Sequence, residues 1–203
     1  MLYVLSMASS VTNKYTIGLG IGLIIFASYI LLRLFRDPVK QELRYAASTF
    51  SEEAKLSPPN TDFALTIDKI GASSAIVGGV DPFNSLVYQK ALSLGVAHAL
   101  GTKRPGEGGN IFLFAHSSAD LLTSERYNSV FYLMHHLEPG DIIRVWYQGT
   151  QYDYAVTDKK LVSAGDIQYL NKKTNQEQLT LMTCWPPGTT LKRLIIVAKP
   201  LPL

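Results

Sequence analysis

The stretch that decides the fold lies near the C-terminus and reads Thr180-Leu181-Met182-Thr183-Cys184-Trp185-Pro186-Pro187. Its first five residues have the β-propensity of a strand, and that strand ends on the only cysteine of the chain. Two prolines then stop the strand. A further apolar run opens on Arg193, nine residues after the cysteine. The sequence therefore predicts one strand that ends on a thiol and a next strand that begins on an arginine.

Upstream, another apolar strand ends on a histidine. Residues 111–114 are all apolar, as in a strand buried on both faces, and His116 follows two positions later. A thiol, an imidazole and a guanidinium thus stand at strand boundaries, and these are the groups that thiol acyl transfer requires. A lone cysteine can also be buried and inert, so the surrounding motif decides between the two interpretations.

These motifs resemble those of the sortases, membrane-anchored cysteine transpeptidases of bacterial surfaces. The family signature, Thr-Leu-x-Thr-Cys followed by Arg within about ten residues, is present at 180–184 and 193. Further matching segments occur in the family order between about Phe63 and Ala198: Gly95-Val96-Ala97-His98, Gly101-Thr102, residues 105–110, the strand ending at His116, and Leu137-Glu138-Pro139-Gly140-Asp141.

The resemblance implies a fold and a set of site residues. The fold is a mainly β, closed sortase-like barrel with short helices. Cys184 is the expected nucleophile and His116 its proton-transfer partner, while Arg193 faces the oxyanion or holds the substrate backbone. Thr183 is expected to shape the substrate groove beside the thiol, although β-propensity alone also explains it.

Other residues compete for these roles. His98 lies in what is interpreted as a glycine-flanked loop and is expected to be structural or substrate-adjacent. His135 and His136 fall near the end of an expected short helix, where they favour solvent and the negative end of the helix dipole. Lys192 precedes Arg193 directly, and alternation along a strand sends the two side chains to opposite faces.

Residue alternation supports the barrel independently of the resemblance. Phe63, Leu65 and Ile67 alternate with smaller or polar residues, and residues 143–147 and 152–156 alternate on either side of a Gly149-Thr150 turn, which predicts a hairpin. A short strand is also expected over 75–80 and a short helix over 129–137. Short strands of this kind indicate a sandwich or a barrel, and the resemblance selects the barrel.

Composition excludes several classes of function. The net charge of +3 over 203 residues is too small and too dispersed for a nucleic-acid-binding protein. One cysteine excludes an intrachain disulfide and a multi-cysteine zinc site. The sequence has no acidic calcium cluster and no glycine-rich nucleotide loop after a strand. We therefore expect no cofactor, no metal and no nucleic-acid partner.

The N-terminal region predicts a membrane anchor. Residues 15–32 form 18 uncharged positions, about 27 Å of helix and close to the thickness of a bilayer core. No persuasive cleavage site follows, so we expect an uncleaved signal anchor. The expected divisions are a short N-terminal segment over 1–14, a transmembrane anchor over 15–35, a stalk over 36–60 and a catalytic domain over 61–203. Gly18 and Gly22 form a small-xxx-small pair that suggests weak self-association.

Charge and resemblance disagree on the orientation of this anchor. Only Lys14 precedes the apolar run, whereas Arg33, Arg36, Lys40 and Arg44 follow it. The positive-inside rule therefore favours a cytoplasmic C-terminal domain. The resemblance implies a single-pass protein of the cell membrane with its catalytic domain outside the cytoplasm, and we expect that orientation.

The resemblance also implies the reaction. Cys184 cleaves a C-terminal sorting motif of a secreted protein, often Leu-Pro-x-Thr-Gly-like, through a thioester, and an amine of a cell-wall precursor or a pilin resolves that thioester. Residues 163–178 occupy the position of the family's substrate-recognition loop. Two alternatives stay open: a membrane-anchored cysteine peptidase or acyl hydrolase that uses water, and a non-catalytic β-barrel assembly module.

Overall fold

The structure is a computed structural model that describes residues 2–48, 55–117 and 129–202. The chain divides into two compact units, residues 1–43 and 44–203, and each is described by itself. A single long helix, α1 (Leu2–Ser48), makes up the first unit and extends a few residues into the second.

Helix α1 contains the expected apolar segment. Tyr15–Arg33 has a mean hydropathy of 2.1 over its apolar window, and none of that window is buried. A helix of this length and composition can cross a membrane, as the sequence predicted. The helix continues past residue 35 to Ser48, into the stretch predicted as a stalk, and residues 55–60 have no regular structure. The exact domain boundaries stay a prediction.

The second unit contains eight strands. They are β1 (Phe63–Ile67), β2 (Ala72–Val80), β3 (Val96–Ala99), β4 (Asn110–Phe114), β5 (Ile142–Tyr147), β6 (Thr150–Ser163), β7 (Gln178–Trp185) and β8 (Lys192–Pro200). The strands close into a barrel in the order β1-β2-β3-β4-β7-β8-β6-β5. The predicted closed, mainly β barrel is confirmed, and closure leaves no sheet edge open.

Two of the barrel's pairings are parallel, β2 with β3 and β4 with β7. The β4–β7 pairing brings together two strands that lie 68 positions apart in sequence, since Asn110 is opposite Gln178. Such a pairing needs a long crossover. Strands β5 and β6 supply that crossover as the predicted hairpin, with Tyr147 opposite Thr150.

The barrel interior is apolar and well enclosed. Leu65, Ile67, Leu113, Leu181 and Ile196 are completely buried. Leu65 and Ile67 lie on β1, while Leu181 is directly opposite Leu113 on β4 and Ile196 on β8. Burying such a side chain stabilises the fold by about 1.5–3 kcal/mol. The alternating apolar residues of β1, β5 and β6 are therefore the ones that are buried in the core, as expected.

The short helices differ from the expectation. Helix α2 (Ser85–Leu94) was not predicted; the side chain of Asn84 caps it by accepting a hydrogen bond from the backbone N–H of Val87 at 3.3 Å. The helix expected over 129–137 is a 3-10 helix confined to Tyr132–His136. A second 3-10 helix covers Asp68–Ile70.

The placement of His98 in a loop was wrong. His98 lies in β3 and is 2% exposed. Its Nε2–H donates to the carbonyl oxygen of Lys103 at 2.9 Å, and its Nδ1 accepts from the backbone N–H of Gly79 at 3.4 Å. Burial lowers the pKa of His98 below its ordinary 6.5. A neutral His98 thus connects β2, β3 and the loop after β3.

Candidate active site

The register between β4 and β7 brings His116 level with Cys184. Phe114 is opposite Met182, and the backbone N–H of Ala115 continues the ladder by donating to the carbonyl of Met182 at 3.2 Å. Strand β4 ends at Phe114, and two further residues of the chain reach His116, as two further residues along β7 reach Cys184. The prediction that these two strands are adjacent and parallel is confirmed, and both side chains lie at the same end of the barrel.

Arg193 lies opposite Cys184 on the other side of β7. The two are direct partners in the antiparallel β7–β8 ladder, whereas Lys192 is opposite Trp185. Directly opposed residues share a face of the sheet, and neighbours along a strand alternate. Cys184 and Arg193 therefore lie on one face, and Lys192 and Trp185 lie on the other, as the predicted strand phase requires.

The guanidinium of Arg193 is held by the end of the β7–β8 loop. Its Nη1 donates to the carbonyl oxygens of Thr190 at 3.2 Å and of Lys192 at 3.1 Å. The loop is itself closed by Thr189, whose hydroxyl and backbone N–H both donate to the carbonyl of Pro186. Among the described residues, Nε and Nη2 of Arg193 make no hydrogen bond, so these donors remain available for a ligand.

Thr183 lies on the opposite face of β7 from Cys184. It is 2% exposed and opposite the buried Leu194, and its hydroxyl donates to the carbonyl of Ala115 at 2.8 Å. This bond ties the end of β4 to β7 immediately before His116. The position favours a structural role for Thr183. Its predicted role at the substrate groove stays a prediction.

The remaining histidines are placed differently. His135 packs on Trp185 with ring centroids 5.1 Å apart, and its Nδ1–H donates to the carbonyl oxygen of Tyr132 at 3.1 Å. His136 is next to it, with ring centroids 4.1 Å apart. Because Trp185 and Cys184 lie on opposite faces of β7, this pair is on the far side of the strand from the thiol.

The face that carries His116 and Cys184 continues along β4 and β7 as a floor. We call this face the β4–β7 floor; it consists of Asn110, Phe112 and Phe114 on β4 and Gln178, Thr180, Met182 and Cys184 on β7, and His116 follows two residues after β4 ends. Of these strand residues, only Met182 and Cys184 are partly exposed. Its far end is a buried polar group. The hydroxyl of Thr180 donates to Oδ1 of Asn110 at 2.8 Å, and Nε2 of Gln178 donates to the hydroxyl of Thr180 at 2.9 Å.

The β6–β7 loop, residues 164–177, is attached to that polar end. Nδ2 of Asn110 donates to the carbonyl of Tyr169 at 2.9 Å, and Nζ of Lys172 donates to Oε1 of Gln178 at 2.9 Å. Leu170 and Asn171 donate backbone N–H groups to Ile167, which gives one hydrogen-bonded turn. Sequence reasoning missed this network, although the i, i+2 spacing of Gln178 and Thr180 was a visible signal.

One carboxylate joins the β6–β7 loop to the β3–β4 loop. Oε2 of Glu177 accepts the backbone N–H groups of Gly106 at 2.9 Å and Gly108 at 3.2 Å, and Oε1 accepts the hydroxyl of Tyr154 at 2.7 Å. Burial, followed by this hydrogen bond, raises the pKa of Tyr154 far above its ordinary value. The two loops beside the floor are therefore fixed to each other and to β6.

The structure thus places a cysteine and a histidine at neighbouring ends of parallel β-structure in an eight-stranded barrel, an arrangement that fits thiol acyl-transfer chemistry. The family model described as the sortase domain matches residues 65–201, and the chain belongs to the sortase family. It is 30% identical over 138 residues to Sortase D of Bacillus subtilis (strain 168), which covers 66% of this chain and 61% of the relative. The chain thus spans about three fifths of the length of that relative.

Solved sortase structures share the fold. Sortase A from Corynebacterium diphtheriae is 25% identical with a TM-score of 0.59, covering 71% of this chain and 62% of that chain. Sortase C-1 from Actinomyces oris is 24% identical with a TM-score of 0.58, covering 81% of this chain and 85% of that chain. The predicted family is confirmed.

Proposed function

We propose that the chain is a cysteine transpeptidase that cleaves a C-terminal sorting motif of secreted proteins and transfers the acyl group to an amine of a cell-wall precursor or a pilin. One observation carries the proposal: Cys184 and Arg193 are directly opposed on β7 and β8, and His116 lies two residues past the end of β4, the strand that runs parallel to β7 on its other side. Family membership and the half-exposed state of Cys184 support it.

The first half of the reaction forms a thioester. The Cys184 thiolate attacks the carbonyl carbon of the scissile amide, and the carbonyl oxygen becomes an oxyanion. When the intermediate collapses, the C–N bond breaks and the leaving amine takes a proton from the His116 imidazolium. The acyl group is then bonded to Sγ, and His116 is neutral.

The second half reverses these proton movements. The incoming amine attacks the thioester carbonyl and gives a proton to His116, and the C–S bond breaks to release the Cys184 thiolate. Because a thiolate is a good leaving group, the C–S bond breaks readily once the incoming amine has attacked. No oxidant or external acid is consumed, since the proton given up in the first half is recovered in the second.

Arg193 is proposed to face the oxyanion or to hold the substrate backbone. Its guanidinium is a cation that presents several donors in a fixed plane. The bonds from Nη1 to the loop carbonyls orient that plane before substrate arrives. A donor that needs no reorganisation stabilises developing charge most effectively, which supports the oxyanion role.

The chain is also proposed to be a single-pass protein of the cell membrane with its barrel outside the cytoplasm. The apolar helix at Tyr15–Arg33 supports the anchor. The substrate class supports the orientation, because secreted proteins and cell-wall precursors meet outside the cytoplasm. Self-association through Gly18 and Gly22 rests on sequence spacing alone.

Product analysis tests the proposal against hydrolysis. The full chain in neutral detergent is incubated with a peptide that contains Leu-Pro-Gln-Thr-Gly, with and without triglycine as the amine, and the products are weighed by mass spectrometry. A transpeptidase gives the triglycine adduct whenever the amine is present. Hydrolysed acid alone, at every amine concentration, would favour the water-using peptidase. Intact peptide and an unmodified Cys184 would favour a non-catalytic barrel.

A further inference from the structure

Helix α2 has an exposed apolar surface on the side that faces away from the barrel. On its inner side the helix packs on β2 and β3, and Ala91 and Leu92 are buried there. On its outer side Leu86 is 85% exposed, and Val87 and Leu94 are exposed as well. At about 3.6 residues per turn, these three residues fall within about 100° of one another around the helix axis. A helix on the surface of a barrel normally turns polar residues to water, so the core does not account for this face.

Two loops extend this apolar surface beyond the helix. Phe83, in the turn before α2, is 69% exposed, and Leu100, in the turn after β3, is 60% exposed. Both line one cavity of about 670 Å³, so the two side chains are neighbours on the surface. We call this surface the α2 apolar patch; it consists of Phe83, Leu86, Val87, Leu94 and Leu100.

Hydrogen bonds fix the two loops that carry Phe83 and Leu100. Oδ1 of Asp81 accepts the backbone N–H of Phe83 at 2.9 Å. The backbone N–H of Leu100 donates to the carbonyl oxygen of Val80 at 2.8 Å. The patch is therefore presented by an ordered backbone, and an ordered surface loses little conformational entropy when it binds a partner.

Exposed lysines lie among and around the apolar residues of the patch. Within the cavity lining, as far as the structure describes it, Asp81 is the only acidic residue, and three lysines oppose it. The bilayer interface binds surfaces of this composition, because apolar side chains enter the headgroup region and lysines are attracted to anionic headgroups. The four lysines are Lys90 on α2 and Lys103, Lys172 and Lys173 in the cavity lining.

The charge of the patch favours lipid over a second copy of the chain. Two copies that met through this surface would bring four lysines against four lysines, and like charges at an interface are unfavourable. An anionic phospholipid surface offers the opposite charge together with an apolar layer. Charge complementarity therefore selects the lipid surface as the partner.

The chain also brings lipid close to the patch. Its segment Tyr15–Arg33 is long and apolar enough to cross a membrane. A barrel tethered to a membrane meets lipid at a high effective concentration, so a weak affinity of the patch for the bilayer surface is sufficient.

We infer that the α2 apolar patch docks the barrel on the anionic phospholipid surface of the membrane that holds the chain. The apolar side chains of the patch enter the headgroup region. The lysine stems lie along them, and the ammonium groups pair with lipid phosphates. This inference goes beyond the proposed reaction and uses only the proposal that the chain is anchored in a membrane.

Docking through this patch leaves the proposed active site free. Asn110 lines the cavity beside the patch and is opposite Gln178 at the start of β7. Cys184 lies six residues further along β7, which is about 20 Å at about 3.3 Å per strand residue. Variants of the patch should therefore turn over a soluble peptide in detergent as fast as the parent chain does.

Quenching by labelled lipid tests the inference on the full chain. Cys184→Ser removes the only thiol, and Ser93→Cys, on the edge of the exposed face of α2, provides one for a fluorophore. The chain is reconstituted into vesicles of phosphatidylcholine, alone or with phosphatidylglycerol in a two-to-one ratio, with and without nitroxide-labelled lipid. Both leaflets carry the same lipids, so either orientation of the chain reports the contact.

We expect nitroxide lipid to quench position 93 strongly in the phosphatidylglycerol vesicles and weakly in phosphatidylcholine alone. The quenching should decrease in about 0.5 M salt, which screens the lysines. The control carries the fluorophore at Lys199→Cys, an exposed position on β8, which lies across the barrel from β2 and β3. Position 199 should be quenched weakly in every vesicle.

Matched variants assign the quenching to the patch. Phe83→Ser with Leu86→Ser should abolish the quenching of position 93 without changing thermal unfolding, because both side chains are largely exposed. Lys90→Gln with Lys173→Gln should lower the ratio of docked to free barrels about fivefold for each lysine. The same loss of charge at Lys160→Gln with Lys199→Gln, on β6 and β8, should leave the quenching unchanged.

Several results would overturn the inference. Equal quenching at positions 93 and 199 would exclude docking through this patch, and quenching that persists in both patch variants would assign it to another surface. Shielding of position 93 that appears only at high protein-to-lipid ratios would make the patch an interface between two copies. A chain that does not enter vesicles would disprove the anchor and the docking together, while peptide transfer in detergent still tests the reaction by itself.

Discussion

At the residue scale, the strand phase of β7 and β8 separates residues that are neighbours in sequence. Cys184 and Arg193 share one face, while Trp185 and Lys192 share the other. A purely charge-based argument would treat Lys192 and Arg193 as equivalent cations beside the thiol. Because the ladder gives them opposite directions, substitution of the two should have very different effects.

The first prediction concerns that difference. Cys184→Ala should abolish thioester formation and cleavage, since the chain has no other thiol. Arg193→Ala should lower kcat about 10²-fold or more if the guanidinium stabilises the oxyanion. Lys192→Ala should change kcat less than about threefold, the scale of a weak exposed charge effect. Steady-state kinetics of peptide cleavage measures all three, and a harmless Arg193→Ala beside a damaging Lys192→Ala would exclude the proposed role of Arg193.

The second prediction concerns Thr183. Thr183→Val keeps the shape of the side chain but leaves the buried carbonyl of Ala115 without its hydroxyl donor. The free energy of unfolding should fall by about 1–3 kcal/mol, and KM should change little because the side chain faces away from the floor. Thermal unfolding and peptide kinetics on the same preparation provide the two readouts. A large rise in KM with unchanged stability would restore Thr183 as a substrate-binding residue.

At the element scale, the sequence predicted the elements whose residue patterns are regular. Strands β1, β5 and β6 alternate, β4 is continuously apolar, and β7 and β8 carry the family motif. Strand β3 was missed because Val96–Ala99 has only four residues, two of them alanines, with a histidine between them. Helix α2 was missed because its outward face is apolar too: Leu86 is 85% exposed and Val87 44% exposed.

The features of the site also divide into those that the sequence could predict and those that it could not. The alignment of His116 with Cys184 could be predicted because both end strands that run parallel. The cavity of about 670 Å³ lined by residues 81–83, 100–103, 109–110 and 170–175 could not be predicted, since its lysines come from loops about 70 residues apart in sequence, at 103 and at 172–173. The Glu177 carboxylate bonds the two loops to each other, and the β4–β7 register sets Asn110 opposite Gln178; neither contact has a local sequence pattern.

The third prediction tests that carboxylate. Glu177→Gln replaces a charged acceptor by a neutral amide at a position bonded to two backbone N–H groups and to Tyr154. Hydrogen bonds to charged groups are the stronger kind, so the change should destabilise the loop contact by about 1–3 kcal/mol. Hydrogen exchange at Gly106 and Gly108 should accelerate about tenfold or more, while exchange in β8 should not change. Unchanged exchange at both glycines would show that the loop does not depend on Glu177.

At the scale of the whole molecule, the barrel's stability should depend on pH through His98. Burial lowers the pKa of His98 in the folded chain, whereas the unfolded chain titrates near the ordinary 6.5. Above about pH 7.5 the His98 imidazole is neutral in both the folded and the unfolded chain, so it adds no pH dependence to the free energy of unfolding. As the pH falls through 6.5, the unfolded chain binds the proton first, so the free energy of unfolding should decrease until the lower, folded pKa is reached.

The fourth prediction isolates this term by comparison. His98→Gln keeps a donor toward the carbonyl of Lys103 but cannot titrate. Its unfolding free energy, from denaturant titrations in neutral detergent at pH 5.5 and 7.5, should vary less with pH than that of the parent chain. If the variant does not fold, exchange of the Gly79 amide in the parent chain gives the same answer, since protonation of Nδ1 breaks that bond. An identical pH dependence in parent and variant would show that His98 is not the source of the change in stability with pH.

The last prediction decides the orientation on which the proposed function depends. The charges flanking the apolar helix favour a cytoplasmic barrel, whereas the substrates of a sortase require an external one. Because Cys184 is the only cysteine and is half-exposed, it reports its own compartment. A membrane-impermeant maleimide should label the full chain in intact cells to the same extent as in permeabilised cells, and Cys184→Ser should remain unlabelled. Labelling that appears only after permeabilisation would place the barrel in the cytoplasm. The thiol chemistry could then remain intact, but cell-wall precursors and secreted proteins could not be its substrates.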